Sequence, residues 1–284
     1  MTFRWLYPFA ALAMLFGLLV ALPEEAYAAP EPAVGRDPGC VAALAPTVTD
    51  GDILGCDFLD RGRAVIALGD VATARDVTVL VPGSDIDLHT LDDPARPQRR
   101  PLGWARALRA AAGPDVAVVL WVGYATPPGL GVDAASGRLA RAGAPALGAF
   151  VAGLRSRPAG PPHLTVIGHS YGSVVAALAA PGLAADDLVL LGSPGARADT
   201  VADLHTRARV WAARTEGDWM RWVPAIRIGD LGHGTDPISP GFGARLLPVG
   251  GTTGHDGYFR PGSAALAGIA AVTESPAGPV AVTA

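Results

Sequence analysis

Short, nearly continuous apolar runs alternate along the chain with alanine-rich stretches typical of helices. Because most of the apolar runs lack polar alternation, they are typical of parallel strands that are covered on both faces. The predicted strands are Ala64–Leu68, Val77–Val81, Val116–Val122, Leu164–Ile167, Leu188–Leu191, Val210–Ala213 and Leu246–Val249.

The alanine-rich stretches predict helices between these strands. The predicted helices are Leu102–Ala112, Ser136–Ser156, Tyr171–Ala180 and Ser263–Val272. Strands interleaved with helices form βαβ units, so we predict an α/β fold, a three-layer α/β/α sandwich around a mostly parallel sheet. A chain of 284 residues suits one such domain of moderate size.

The first 28 residues have the layout of a secretory signal peptide. Arg4 precedes the apolar stretch Trp5–Leu22, and Ala-Tyr-Ala at 26–28 offers a cleavage site, so the mature chain is expected to start near Ala29. The alternative is an uncleaved membrane anchor, because about 18 apolar residues can just span a bilayer. We therefore expect a protein that is secreted or located in the cell envelope.

The rest of the chain divides into three parts. We predict a linker and N-terminal extension at 29–62, the main domain at 63–273 and a flexible tail at 274–284. The only two cysteines, Cys40 and Cys56, lie in the extension. In an exported protein an even pair predicts a disulfide, while two free thiols or a reactive cysteine are the alternatives.

Composition excludes several functions. The net charge of −4 and the absence of any basic run exclude a nucleic-acid partner. All 22 basic residues are arginine, so lysine-based chemistry is excluded as well. The sequence has no metal-ligand spacing and no dinucleotide or phosphate-binding fingerprint, so we expect no cofactor and no metal.

A candidate nucleophile, Ser170, lies in the stretch Gly168-His169-Ser170-Tyr171-Gly172, between a predicted strand and a predicted helix. The bare G-x-S-x-G pattern is weak in a chain with 36 glycines, but the strand–turn–helix context makes it specific. Glycine at 168 and 172 allows the strand and the helix to approach closely. The serine hydroxyl would then stand at a helix N-terminus, where developing negative charge is favoured. The alternative is an ordinary tight βα turn.

A serine nucleophile needs a base and an acid that orients the base, and at such an elbow both follow later in the chain. Asp218 comes just after the strand at Val210–Ala213, and Glu216 is its competitor. We favour Asp218 because the preceding Gly217 lets the turn present a short side chain inward.

Among six histidines, His255 is the candidate base, because it alone follows the last predicted strand. His233 is expected to be a wall or lid residue. His169 adjoins the serine, so its side chain should project elsewhere. The other three lie too early in the chain or at the wrong end of a strand, namely His89, His163 and His205.

An oxyanion hole needs two backbone N–H groups that point to where negative charge develops. Tyr171, the residue after the nucleophile, supplies one of them. The loop after the strand Val77–Val81 should supply the other, and Gly83 frees the backbone so that the Ser84 N–H is our candidate. The alternative is an ordinary Pro-Gly turn.

At this point the chain resembles the α/β-hydrolase superfamily, and within it an actinobacterial branch of unknown function. The matching text is GVDAASGRLARAGAPALGAFVAGL, HLTVIGHSYGS, DDLVLLGSPG, RVWAARTEGD, FGARLLPVG and GHDGYF. The resemblance covers roughly residues 60–272 and implies a Ser–Asp–His set on Ser170, Asp218 and His255. It implies no substrate.

The substrate is expected to be a carboxylic ester. Trp219, Met220 and Trp222 follow the acid and would form the wall of an apolar acyl pocket, with core packing as the alternative. The loops at 84–101 and 123–137 are long enough to overhang the site, but neither predicts a large lid. We therefore expect an open site for short or medium acyl groups.

These residues predict an exported serine hydrolase that works through an acyl-enzyme. The alternatives are an acyltransferase of the cell envelope and a catalytically inactive binding protein on a hydrolase scaffold. The expected partner is a small-molecule or lipid ester, with cell-envelope association as a further option. The sequence implies no partner protein.

Overall fold

Eight strands form one sheet in the computed structural model, which describes residues 29–275. The predicted signal peptide at 1–28 and residues 276–284 of the predicted tail lie outside the described residues. The strands are β1 Asp52–Asp57, β2 Arg63–Leu68, β3 Asp76–Val81, β4 Val116–Val122, β5 His163–His169, β6 Asp187–Leu191, β7 Arg209–Ala213 and β8 Arg245–Leu246.

The strand order is β1-β2-β4-β3-β5-β6-β7-β8. The β1–β2 and β2–β4 pairs are antiparallel, and every pair from β4 to β8 is parallel. The sheet is thus mostly parallel, as the continuous apolar runs predict. The carboxyl ends of the parallel strands define one edge of the sheet, which we call the C-terminal edge.

Helices cover both faces of this sheet. Helices α4 (Arg138–Arg155) and α5 (Tyr171–Ala179) pack on one face, and α1 (Pro38–Leu44), α2 (Pro101–Ala112) and α6 (Ala264–Thr273) pack on the other. Alternate residues of β4 enter the two cores, Val119 on one face and Val118 on the other. The predicted α/β/α sandwich is confirmed. The short helix α3 spans Val132–Ala135.

Several elements differ from their predictions, and the short helices α1 and α3 were not predicted. Strand β1 was not predicted, because its short stretch DILGCD has polar ends and an internal glycine. Strand β8 is shorter than the predicted Leu246–Val249, since Pro248 has no N–H to continue the pairing. The predicted helix at 136–156 begins two residues later, at Arg138, because Ser136 is extended and the Gly137 N–H donates to Asp230 instead.

The predicted disulfide is present. Cys40 in α1 and Cys56 in β1 are bonded, with their Cα atoms 5.6 Å apart, and both side chains are fully buried. Strand β1 therefore joins the predicted N-terminal extension to the sheet by pairing with β2, and the disulfide links α1 to β1.

A buried arginine holds the start of the described chain. Arg63 is 1% exposed and donates to both carboxylate oxygens of Asp57, at 3.0 and 2.7 Å. Its guanidinium also donates to the Pro32 carbonyl oxygen at 2.9 Å. The Glu31 N–H donates to the Ala142 carbonyl oxygen of α4 at 2.8 Å. The chain is thus fixed to the domain from its first described residues onward.

Replacement of both cysteines by serine should lower the free energy of unfolding by about 3 kcal/mol, because the open chain gains entropy in the unfolded state. Urea titration followed by circular dichroism measures this change. Reduction of the native protein is the matched control and should give a similar loss. Equal urea midpoints for the oxidised and reduced native protein would contradict the prediction.

Candidate active site

Ser170 occupies a strained turn between β5 and α5, with φ 56° and ψ −129°. A non-glycine residue in such a conformation costs on the order of 1–3 kcal/mol. The turn is closed by glycine: a Cβ on Gly168 would lie 2.5 Å from the Ser173 Cα, and one on Gly172 would lie 2.2 Å from the Val81 carbonyl oxygen. This close contact brings Ser170 to the C-terminal edge of the sheet.

Asp218 and His255 are brought together at the same edge. Asp218 follows β7 and precedes a 3₁₀ turn at Trp219–Trp222. Its Oδ1 accepts hydrogen bonds from His255 Nδ1 at 2.9 Å and from the Met220 N–H at 2.9 Å. Burial acts to raise the pKa of the Asp218 carboxyl, but these donors and Tyr258 hold it below its ordinary value. Asp218 is therefore a buried, ionised acceptor.

Tyr258 contacts the other oxygen of this carboxylate, a contact that the sequence did not predict. Its hydroxyl donates to Asp218 Oδ2 at 2.5 Å and accepts from the Thr215 N–H at 3.2 Å. Burial and the neighbouring carboxylate raise the pKa of Tyr258, so the phenol stays protonated and keeps donating. The only sequence signal was its position three residues after His255.

The His169 side chain forms a hydrogen bond with the backbone of His255. Its Nε2 lies 2.8 Å from the His255 carbonyl oxygen, and since a carbonyl only accepts, Nε2 carries the proton. Burial lowers the pKa of His169 to about 3, so the ring is neutral at physiological pH. The ring packs edge-on against Trp104, with centroids 4.7 Å apart. The side chain does project away from the serine, as expected, but toward His255.

The competing acid and base lie elsewhere. The Glu216 side chain is exposed, and its carbonyl oxygen accepts from the Gly254 N–H at 2.9 Å. His233 is buried, its Nε2 lies 2.8 Å from the Ala134 carbonyl oxygen, and its ring packs edge-on against Tyr171. Burial lowers the pKa of His233 to about 4. His233 thus forms part of a wall.

The three remaining histidines either contact other residues or are exposed to solvent. His163 begins β5, at the opposite edge of the sheet from Ser170, and its Nε2 lies 2.9 Å from a carboxylate oxygen of Asp187. His89 and His205 are exposed.

The two predicted oxyanion donors lie beside the serine. A Cβ on Gly83 would be 2.7 Å from the Ser170 Cβ and 2.9 Å from the Tyr171 N, so the backbone before Ser84 passes directly over the elbow. The loop is fixed by the next residue, Asp85, whose N–H donates to the Pro127 carbonyl oxygen at 2.9 Å. Ser84 and Tyr171 line the same cavity as Ser170.

This cavity, which we call the Ser170 cavity, has a volume of about 390 Å³ and a mainly apolar lining. Trp219 and Met220 line it, as predicted, whereas Trp222 does not and is 79% exposed. The loop at 123–137 also contributes. The segment 223–233 contributes more lining residues than any other, although the sequence analysis singled out only His233 in it: Val223, Pro224, Ile226, Ile228, Leu231, Gly232 and His233.

Comparison with known proteins gives relatives of the same kind. An uncharacterised protein of Mycobacterium tuberculosis is 34% identical over 247 residues, which is 75% of this chain and 37% of the relative. An uncharacterised protein of Mycobacterium bovis is 36% identical over 139 residues, 46% of this chain and 52% of the relative. The chain thus spans little more than a third of the first relative. The predicted resemblance to an actinobacterial branch of unknown function is confirmed.

Solved structures resemble this chain at a lower sequence identity. A carboxylesterase from Mesorhizobium loti is 20% identical, with a TM-score of 0.47 over 80% of this chain and 100% of that one. A lidless serine hydrolase from Xanthomonas campestris is 18% identical, with a TM-score of 0.45 over 79% of this chain and 92% of that one.

The family comparison is more specific. A model of an alpha/beta hydrolase family matches residues 57–228, more than half of the chain. The matched range contains Ser170 and Asp218 and ends before His255. With its strand order, its elbow and this match, the chain belongs to the alpha/beta hydrolase family.

Proposed function

We propose that this protein is an exported serine hydrolase that cleaves carboxylic esters. The observation that carries the proposal is the hydrogen bond between Asp218 and His255 beside a strained serine at an apolar cavity. A buried carboxylate that orients an imidazole is the arrangement by which a serine hydroxyl becomes a nucleophile at neutral pH. The buried disulfide supports export, because disulfides persist in oxidising compartments.

Each group has one role in the proposed reaction. Because His255 Nδ1 donates to Asp218, the neutral ring leaves Nε2 free to take the Ser170 proton. The serine oxygen attacks the acyl carbon, and the N–H groups of Tyr171 and Ser84 bind the oxyanion. His255 then returns the proton to the leaving alcohol. Water repeats the sequence on the acyl-enzyme and releases the acid.

The cavity supports esters with a short or medium acyl group. Its volume of about 390 Å³ is near the lower end of the ~300–1,000 Å³ range of small-ligand sites. Its lining offers few polar groups, so the acyl group would be bound by apolar contact. The acyl pocket would be formed mainly by Met220 and residues 223–233.

Ser170→Ala and His255→Ala should each abolish labelling by a fluorophosphonate and lower kcat on p-nitrophenyl esters by about 10⁴-fold or more. Ser156→Ala and His89→Ala change exposed residues of the same types and are the matched controls. Absence of labelling in the folded native protein would exclude the hydrolase and favour the inactive scaffold. Transfer of the acyl group to an added alcohol in preference to water would favour the acyltransferase.

Tyr258→Phe should lower kcat about tenfold with little change in KM. The substitution keeps the ring but removes the hydrogen bond to Asp218, and a bond to a charged group is worth more than about 1.4 kcal/mol. Steady-state kinetics at saturating ester measures the effect. An unchanged kcat would show that Tyr258 does not support the acid.

His169→Phe should lower kcat about five- to tenfold at constant KM, because the His255 backbone loses its neutral donor. His169→Gln retains a side-chain N–H and should recover part of the loss. The melting temperature of both variants separates positioning from stability. Equal kcat values for the Phe and Gln variants would contradict a role for this hydrogen bond.

A further inference from the structure

Exposed apolar side chains are concentrated at the mouth of the Ser170 cavity. Of the eleven large apolar residues exposed in the described chain, seven lie in only two segments, 130–132 and 219–231. Monomeric proteins rarely expose a contiguous apolar patch unless it binds something. We call these seven side chains the collar. Five of them line the cavity and two flank it: Leu130, Trp219, Ile226, Ile228 and Leu231, with Val132 and Trp222 alongside.

Backbone hydrogen bonds hold the collar outward. Ile228 and Leu231 exchange hydrogen bonds at 2.9 and 3.1 Å, and the next N–H, that of Gly232, donates to the Ala135 carbonyl oxygen at 2.8 Å. Beneath them the buried Asp230 accepts from Arg197 at 3.0 Å. The loop that exposes these side chains is therefore fixed by hydrogen bonds of its backbone and of Asp230.

The charges in the collar favour an anionic partner. The segment 219–231 carries Arg221 and Arg227, both exposed, and its single acid, Asp230, is buried and ion-paired. The Arg221 guanidinium lies 5.8 Å from the centre of the Trp222 ring. The protein as a whole has a net charge of −4, whereas the exposed charged side chains of this segment are both arginines. Tryptophan and arginine around an apolar face suit a bilayer with anionic headgroups.

The start of the described chain lies at the same edge of the sheet. The Glu31 N–H donates to Ala142 of α4, and its carboxylate lies 3.5 Å from the Arg63 guanidinium, at the start of β2 beside the carboxyl end of β4. The loop that follows β4 continues to Leu130 in the collar. The 28 residues that precede this point contain the apolar stretch Trp5–Leu22. A chain held in a membrane by that stretch would have the collar on the side that faces the membrane.

We propose that the collar is a docking surface for an anionic phospholipid bilayer. The apolar side chains enter the boundary between headgroups and acyl chains, and Arg221 contacts the phosphates. An ester carried by the bilayer then passes directly into the Ser170 cavity. This last step rests on the proposed function, whereas docking itself does not.

The test uses the chain from residue 29 onward, which carries the whole described sheet and both of its cores, with Ser170→Ala to prevent turnover. Sedimentation with vesicles of phosphatidylcholine and phosphatidylglycerol measures the bound fraction. Val132→Ser with Trp222→Ser should lower the partition coefficient at least tenfold. Leu54→Ser with Leu246→Ser, in the two outer strands β1 and β8, is the matched control and should leave binding unchanged.

Further measurements separate the outcomes. Vesicles with brominated acyl chains should quench the tryptophan fluorescence of the Ser170→Ala protein and quench the collar variant less. In the protein that keeps Ser170, the Val132 and Trp222 substitutions should leave hydrolysis of a soluble ester unchanged, because neither residue lines the cavity.

Equal vesicle binding by the collar and control variants would overturn the proposal. A dimer that dissociates on the collar substitutions and binds no vesicles would overturn it in favour of a second copy. Vesicle binding without ester turnover would leave docking intact and contradict the proposed function instead.

Discussion

The site depends on one close contact, between the first turn of α5 and the carboxyl end of β3. Gly172 lies so near Val81 that no side chain fits between them, and Gly168 is equally close to Ser173. Only this approach lets the chain turn at Ser170 with a positive φ and continue at once as a helix. The strain at the serine is held by the sheet on both sides, because β5 is paired with β3 and β6. Ser170, the proposed nucleophile, is thus positioned by a strand that is paired on both sides in the middle of the sheet.

The rest of the proposed triad depends on a buried polar network that links two loops. Asp218 accepts from three donors while fully buried, so its charge is stabilised where an unpaired carboxylate would be costly. His169 connects the network back to the elbow by holding the His255 backbone. The orientation of the His255 imidazole and the position of Ser170 are therefore coupled through the hydrogen bond between His169 and the His255 backbone. Tyr258 and His169 thus contact the proposed acid and base without touching the proposed reacting atoms.

The sequence predicted the parts of the fold that depend on local patterns. Continuous apolar runs identify buried parallel strands, and the glycines around Ser170 identify the elbow, because both signals lie within a few neighbouring residues. Chain order identified Asp218 and His255 as a candidate pair. Strand β1 was missed because its apolar pattern is interrupted, and Tyr258 was missed because its partner is 40 residues away. Contacts set by the tertiary structure leave no local pattern to read.

Substrate preference cannot be predicted from the strand pattern either, because tertiary contacts shape the wall of the cavity. The largest share of the cavity wall comes from 223–233, whose shape depends on distant residues: Arg197 donates to Asp230, and Ser136 pairs with Leu231. None of these contacts involves Ser170, Asp218 or His255. Substitutions in this loop can therefore change what enters the cavity and how the collar meets its surroundings without disturbing the proposed chemistry. The loop at 223–233 therefore separates the shape of the cavity from the residues of the proposed triad.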